Sequence, residues 1–114
     1  MSNGELKTAG SKRYEVPWVD GLDYKSVEST IATGVTNQEI SLGFTRFTGL
    51  EILNDNETTG NDLIIRLNTN SSDAITVKAG ESKSINNFVM TALFLTNSSG
   101  ATISYRILAW GIIT

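Results

Sequence analysis

The residues of this sequence that could carry out chemistry are carboxylates, because the chain contains no histidine and no cysteine. Their absence excludes histidine-based acid–base catalysis, the common nucleophilic triads and most zinc or copper sites. Paired carboxylates, as in glycosidases, remain chemically possible. The acidic clusters are Asp20 with Asp23, and Asp55 with Glu57 and Asp62. Both lie in glycine-containing loops, where solvated turn residues are the usual explanation, so we expect no catalytic residues and no enzyme.

The loop around Asn54–Asp62 is the one place with several hard oxygen ligands of the kind that calcium prefers. It lacks the spaced D-x-D-x-D-G pattern with a distal glutamate. Gly60 and Gly100 are interpreted as turn glycines, since no strand-to-helix context for a phosphate-binding loop surrounds them. We therefore expect no metal ion and no cofactor.

Aromatic rings could form a platform for a sugar, because flat rings stack on sugar faces. Trp110 and Tyr105 lie inside strand patterns and are expected in a core or an interface, which leaves Tyr24 as the best exposed candidate. A carbohydrate- or receptor-binding module is therefore an alternative function. Such a module would use the loops 54–61, 68–73 and 96–100, which we expect to cluster at one end of the fold.

These residues have to be positioned by strands. From residue 38 onward, short apolar segments recur at spacings of roughly 8–12 residues, separated by turns rich in Asn, Gly and Ser, which is typical of a sandwich or barrel. The fold prediction is all-β: an antiparallel β-sandwich, jelly-roll-like, with an extended N-terminal arm. We assign residues 1–20 to the arm and 21–114 to the sandwich. In the arm, Tyr14, Val16 and Trp18 share one face, and Pro17 restricts the segment to an edge strand or an extended arm.

Three element predictions are specific enough to be tested. Residues 38–44 and 88–96 are each predicted to form a strand, whereas 26–31 fits either a strand or a single helical turn. The segments Gly60–Leu67 and Gly100–Ile107 share the pattern Gly-x-x-aliphatic-x-(Ile/Tyr)-Arg-aliphatic. Two hairpins of similar construction would explain this shared pattern. Their similarity would come either from common turn chemistry or from an ancestral duplication.

The strongest functional indication lies at the end of the chain. Residues 84–114 contain a single charged side chain, Arg106. Residues 107–113 are apolar at both the odd and the even positions, which face opposite sides of a strand. A strand that is apolar on both faces needs cover on both, and a two-layer fold supplies only one layer. The second cover comes from another subunit or from residues 13–31 of the same chain. The predicted interface residues are Tyr14, Val16, Trp18, Leu108, Trp110, Ile112 and Ile113.

Charge and hydropathy exclude other partners. The net charge is −3 and basic residues are not clustered, so no nucleic acid partner is expected. No segment has the roughly 20 apolar residues of a membrane span, and the N-terminus has no apolar core of a secretory signal. The absence of cysteine fits synthesis in a reducing compartment such as the bacterial cytoplasm, where a particle could assemble, and we expect a homo-oligomer, with a trimer among the options.

The Asn-, Ser- and Thr-rich strands, such as Leu63–Asn70, together with the ending Ala101–Gly111, resemble the small β-sandwich virion proteins of tailed bacteriophages. This family includes head-decoration proteins and pieces of tails and fibres. The resemblance implies a structural subunit of the virion that binds other copies of itself and a major capsid or tail protein. A capsid decoration protein is the first expectation. A receptor- or carbohydrate-binding module of a phage tail is the alternative, and a tail or connector subunit is the second alternative.

Overall fold

The computed structural model describes residues 24–111. Eight β-strands make up this part of the chain, and it contains no helix. The strands are β1 (Tyr24–Ile31), β2 (Val35–Glu39), β3 (Phe47–Asn54), β4 (Leu63–Leu67), β5 (Ile75–Val77), β6 (Ser82–Met90), β7 (Leu93–Asn97) and β8 (Ile103–Trp110).

The strands form two four-stranded sheets. The first sheet has the order β1-β8-β3-β6 and the second has the order β2-β7-β4-β5. Every pairing is antiparallel. Strands that are consecutive in sequence therefore alternate between the sheets, apart from β4 and β5, which is the arrangement of a jelly roll. The predicted all-β antiparallel sandwich is confirmed.

The core lies between the sheets and is filled by side chains at alternate strand positions. On β8, for example, Ile103, Tyr105, Ile107 and Ala109 are buried, whereas the residues between them face outward. This period of two is what a strand with one covered face requires. The wholly buried large side chains come from both sheets and include Phe47, Leu50, Ile52, Leu63, Ile65, Met90, Leu93 and Leu95.

Two of the strand predictions are wrong in their bounds. The strand predicted at 38–44 is β2 at Val35–Glu39; Leu42 is buried but belongs to an irregular connection that contains Gly43 at φ +75°. The strand predicted at 88–96 is two strands, because the chain leaves the first sheet after Met90 and enters the second at Leu93. A continuous apolar run therefore hid a crossover between sheets.

Other predictions are decided in favour of one alternative. The ambiguous segment 26–31 belongs to strand β1. The expectation that the last strand is apolar on both faces holds for its second half, where Leu108 and Trp110 face outward beside the buried Ile107 and Ala109. The arm at 1–20, with Tyr14, Val16 and Trp18, lies outside the described residues, as do Ile112 and Ile113.

The sequence pattern shared by Gly60–Leu67 and Gly100–Ile107 accompanies a symmetry in the strand order of the two halves of the chain. Suppose that each of β1–β4 is exchanged with the strand four places later, β5–β8. The order β1-β8-β3-β6 of the first sheet then becomes β5-β4-β7-β2, which is the order of the second sheet read backwards. The two halves of the chain are therefore related by a pseudo-two-fold axis. The register agrees: Ile31 pairs with Ile103, and the equivalent Val77 pairs with Leu63.

Candidate interaction face

The outward residues of the first sheet form a mixed apolar and acidic surface, which we call the Leu108 face. Cross-strand pairing places Tyr24 beside Trp110, Ser26 beside Leu108, and Glu28 beside Arg106. On the other side of β8, Glu51 is beside Leu108 and Leu53 is beside Arg106. The Leu108 face thus consists of Tyr24, Ser26, Glu28, Gly49, Glu51, Leu53, Arg106, Leu108 and Trp110.

Two large apolar side chains of this face are open to solvent. Leu108 is 38% exposed and Tyr24 is 65% exposed. Tyr24 stands beside the half-buried Trp110. An exposed leucine alone is ordinary, but apolar groups clustered on one sheet face indicate a contact surface.

The indole of Trp110 lies on the backbone of Gly49, its partner in β3. A Cβ atom added to Gly49 would overlap Cε2 and Nε1 of Trp110, so glycine is required here for lack of space. The next residues are joined as well: Thr48 donates from its backbone N–H and from Oγ1 to the carbonyl oxygen of Gly111, each at 3.1 Å. These contacts fix the end of β8 against the start of β3.

The charge of the face is acidic. Arg106 donates from Nε and Nη2 to the two carboxylate oxygens of Asp55, at 2.9 and 2.8 Å, in a bidentate pair. The hydrogen bond to Asp55, its negative charge and that of Glu28 raise the pKa of the Arg106 guanidinium above its ordinary value. Because Asp55 already balances Arg106, Glu28 and Glu51 set the sign of the remaining surface.

A depression of about 360 Å³ lies in the centre of the Leu108 face. Leu53 and Leu108 line it together with Ser26 and the charged side chains of Glu28, Glu51 and Arg106. A second depression of about 300 Å³ lies between residues 39–45 and 91–93. Glu39 is the only ionisable residue that lines it.

The outer face of the second sheet, which we call the Asn37 face, is built differently. Arg66 donates to the carbonyl oxygen of Ser72 at 3.1 Å and to Oδ1 of Asn37 at 3.3 Å. Oγ1 of Thr96 donates to the same Oδ1 at 3.3 Å and accepts from the backbone N–H of Asn37 at 2.9 Å. The polar side chains of Asn37, Arg66 and Thr96 thus form hydrogen bonds with one another. Ile64 and Phe94, which lie between them, are half-buried.

One end of the sandwich is held by two buried asparagines in equivalent positions. Nδ2 of Asn54 donates to the carbonyl oxygens of Asn61 and Val77, and Nδ2 of Asn97 donates to those of Ala101 and Ile31. The side chain of each also accepts from the backbone N–H two residues later, and the backbone carbonyl of each accepts from Gly80 or Gly34.

This end therefore contains the loops 54–61 and 96–100, which are also connected by the hydrogen bond from Nδ2 of Asn56 to the carbonyl of Thr102. The prediction that loop 68–73 joins them is wrong. Since β4 runs away from this end, loop 68–73 lies at the opposite one, where Oδ1 of Asn68 accepts from the backbone N–H of Thr91 at 2.7 Å. Within residues 24–111, no group of three or more Asp, Glu, His or Cys side chains could hold a metal ion.

Of the predicted interface residues, the structure places Leu108 and Trp110 together on the Leu108 face; the other five lie outside the described residues. The sequence analysis missed Leu53, Glu28 and Glu51. Only the register between β1, β8 and β3 brings these residues beside Leu108, and register is not visible in a single strand. The exposed pair Phe88 and Val89, which follows Asn87 at φ 58°, was also missed as surface.

No protein-family model and no curated protein sequence matches the chain. Among solved structures, the chain is similar to a de novo designed double-stranded β-helix, determined by solution NMR, with a TM-score of 0.51 and 18% sequence identity. The match covers 75% of this chain and 97% of the designed one. This similarity concerns the fold, and it agrees with the two-sheet arrangement described above. Within residues 24–111, no helix is long and apolar enough to span a membrane.

Proposed function

We propose that the chain is a non-enzymatic structural subunit of a phage virion, in the first place a capsid decoration protein that stabilises the particle by binding its neighbours. The observation that carries this proposal is the contrast between the two outer faces: the Asn37 face is closed by its own hydrogen bonds, and the Leu108 face presents open apolar groups. The partners are other copies of the chain and a major capsid or tail protein.

The phage setting is supported by the resemblance in strand composition and by the topology, since jelly rolls occur in viral capsid proteins as well as in lectins. Assembly would take place in the host cytoplasm. Leu108 is 38% exposed, so burying the rest of its side chain would stabilise a contact by about 0.5–1 kcal/mol. Many weak contacts of that size add up on a particle that carries many copies.

A matched pair of variants tests the face. Leu108→Glu places a charge in the proposed contact, and Thr76→Glu places the same charge at an exposed position of β5 in the second sheet. Thr76→Glu should leave the thermal midpoint nearly unchanged, because Thr76 is exposed. Leu108→Glu sets a carboxylate opposite Glu51 and should lower the midpoint, so association is compared at a temperature at which both variants are folded. In sedimentation velocity and in co-sedimentation with particles, Leu108→Glu should weaken association by about tenfold or more, and Thr76→Glu should not. Equal behaviour of the two variants would contradict the proposal.

The place of the chain in the virion is tested by electron microscopy of particles labelled with an antibody against the chain. Labelling of heads supports decoration, labelling of tails or of the neck supports a tail or connector subunit, and unlabelled particles contradict a virion protein altogether.

One observation favours a second function, a carbohydrate- or receptor-binding module. Tyr24 is exposed and is paired in the sheet with Trp110, whose indole lies over Gly49, so two aromatic side chains of the kind that stack on a sugar lie at this corner. Glycan-array binding that is lost in Tyr24→Ala but kept in Ser29→Ala would support this function. Absence of binding by the wild-type chain would remove it.

A further inference from the structure

We infer that the two halves of the chain, β1–β4 and β5–β8, are obligate binding partners, which assemble into the same sandwich when they are two separate chains. The covalent connection between them, at residues 68–74, is then dispensable for the fold. This inference goes beyond the proposed function and does not depend on it, because it concerns the interior of the sandwich and not the Leu108 face.

Every strand pair within residues 24–111 joins one half to the other. In the first sheet, β8 lies between β1 and β3, and β6 pairs with the other side of β3. In the second sheet, β7 lies between β2 and β4, and β5 pairs with the other side of β4. No two of these strands that belong to the same half are neighbours in a sheet. A half on its own therefore has no strand ladder, and the backbone N–H and C=O groups of its strands lose their partners.

The two buried asparagines also join the halves. Asn54 of the first half donates from Nδ2 to the carbonyl oxygen of Val77 at 3.0 Å, and Asn97 of the second half donates from Nδ2 to that of Ile31 at 2.9 Å. The buried core likewise contains large side chains from both halves. The interior of each half is therefore completed by the other half.

Among residues 24–111, one side-chain hydrogen bond links two strands of the same half. It is the bond from Arg66 on β4 to Oδ1 of Asn37 on β2, at 3.3 Å. Strand β7 of the second half lies between these two strands. A single long hydrogen bond across that gap does not replace a ladder, so it gives the first half no sheet of its own.

The connection between the halves is a surface loop that a break would disturb little. Asn68, at its start, is held by the second half, because its Oδ1 accepts from the backbone N–H of Thr91 at 2.7 Å. Beyond Asn68, the hydrogen bonds of the loop stay within residues 66–72. A cut between Asn70 and Ser71, which are both exposed, therefore leaves every strand pair in place.

Cleavage of the full-length chain tests the inference. The recognition sequence of a sequence-specific protease is inserted between Asn70 and Ser71, and the matched control is the same protein before cleavage. The two pieces should elute together in size-exclusion chromatography and keep the circular dichroism of the uncut protein. Urea should unfold the cut protein in a single transition whose midpoint falls by about 0.5–1 M on tenfold dilution, because unfolding now separates two chains. The midpoint of the uncut control, in which the halves stay joined, should shift by less.

Two results would overturn the inference. One is that the pieces separate, or lose the β-sheet signal, when the chain is cut under native conditions. The other is unfolding of the cut protein in two steps, one of them independent of concentration, which would show that a half keeps a structure of its own. If the insertion alone changes the circular dichroism of the uncut chain, the exposed Asp73-Ala74 provides a second insertion point for the same measurements.

Discussion

Arg66 on β4 and Arg106 on β8 hold equivalent positions in the two halves of the chain, yet their partners differ. Arg66 donates to Ser72 and to Asn37 within a closed network, whereas Arg106 reaches sideways to Asp55 and leaves Leu108 beside it open. The buried equivalents Asn54 and Asn97, by contrast, make the same set of contacts.

The comparison teaches that the fold constrains the interior of both halves and leaves the outside free to differ. At this end four connections cross between the sheets, β1–β2, β3–β4, β5–β6 and β7–β8, and the two asparagines hydrogen-bond to all of them. A jelly roll has no need for an open apolar face. The fold therefore does not require the difference between the Leu108 face and the Asn37 face, and this difference is the basis of the proposed function.

The largest effect is expected for the two asparagines. Asn54→Ala and Asn97→Ala each leave two carbonyl oxygens and one backbone N–H without their partner, so each should lower the free energy of unfolding by about 2–4 kcal/mol. Urea denaturation of the two variants measures this. A loss in only one of them would show that the two loop ends are not equivalent.

A smaller effect is expected at Gly49. Gly49→Ala forces the indole of Trp110 away from the sheet, which should lower the free energy of unfolding by about 1–3 kcal/mol. In a Trp18→Phe background, the emission of Trp110 should shift to longer wavelength. Gly100→Ala is the matched control, because no atom lies within 4 Å of a Cβ added there and its φ is not positive. Equal stability of the two variants would contradict the close contact of Trp110 with Gly49.

The smallest effects on stability are expected for variants of the two arginines, Arg66 and Arg106. Arg66→Ala removes two hydrogen bonds of the Asn37 face and should cost about 1–2 kcal/mol of unfolding free energy. Arg106→Ala removes an ion pair on the open surface, and its thermal midpoint should stay close to that of the wild type. If Arg106→Ala were the more damaging of the two, the Leu108 face would have a structural role that its exposure does not suggest.

The fold class could be predicted because it follows from local patterns. Alternation in Leu63–Leu67 and the turn residues around Gly60 and Gly100 specify strands and their ends with no knowledge of partners. The crossover at Thr91-Ala92 could not be predicted, since the residues on both sides, Phe88–Met90 and Leu93–Leu95, are apolar and no Gly or Pro separates them. Here the turn is stabilised from a distance, by the side chain of Asn68.

The candidate face was predictable only in part. Leu108 and Trp110 were found because they are apolar at positions where the outward face of a strand is expected to carry polar side chains. Glu28, Glu51 and Leu53 become neighbours of Leu108 through the pairing of three strands that lie far apart in sequence. A single sequence carries no record of that register, and the same holds for the contact of Trp110 with Gly49.

Strands β1 and β8 pair along their whole length, with Tyr24 beside Trp110. A protein domain fused ahead of Tyr24 and one fused after Gly111 would therefore leave from the same corner of the sandwich. A short linker between these two points, with new ends opened at the exposed Thr58-Thr59, would give a circular permutant that keeps every strand pair. Residues 24–111 are thus suited to display a cargo from one fixed corner, whether it is joined at Tyr24 or at Gly111.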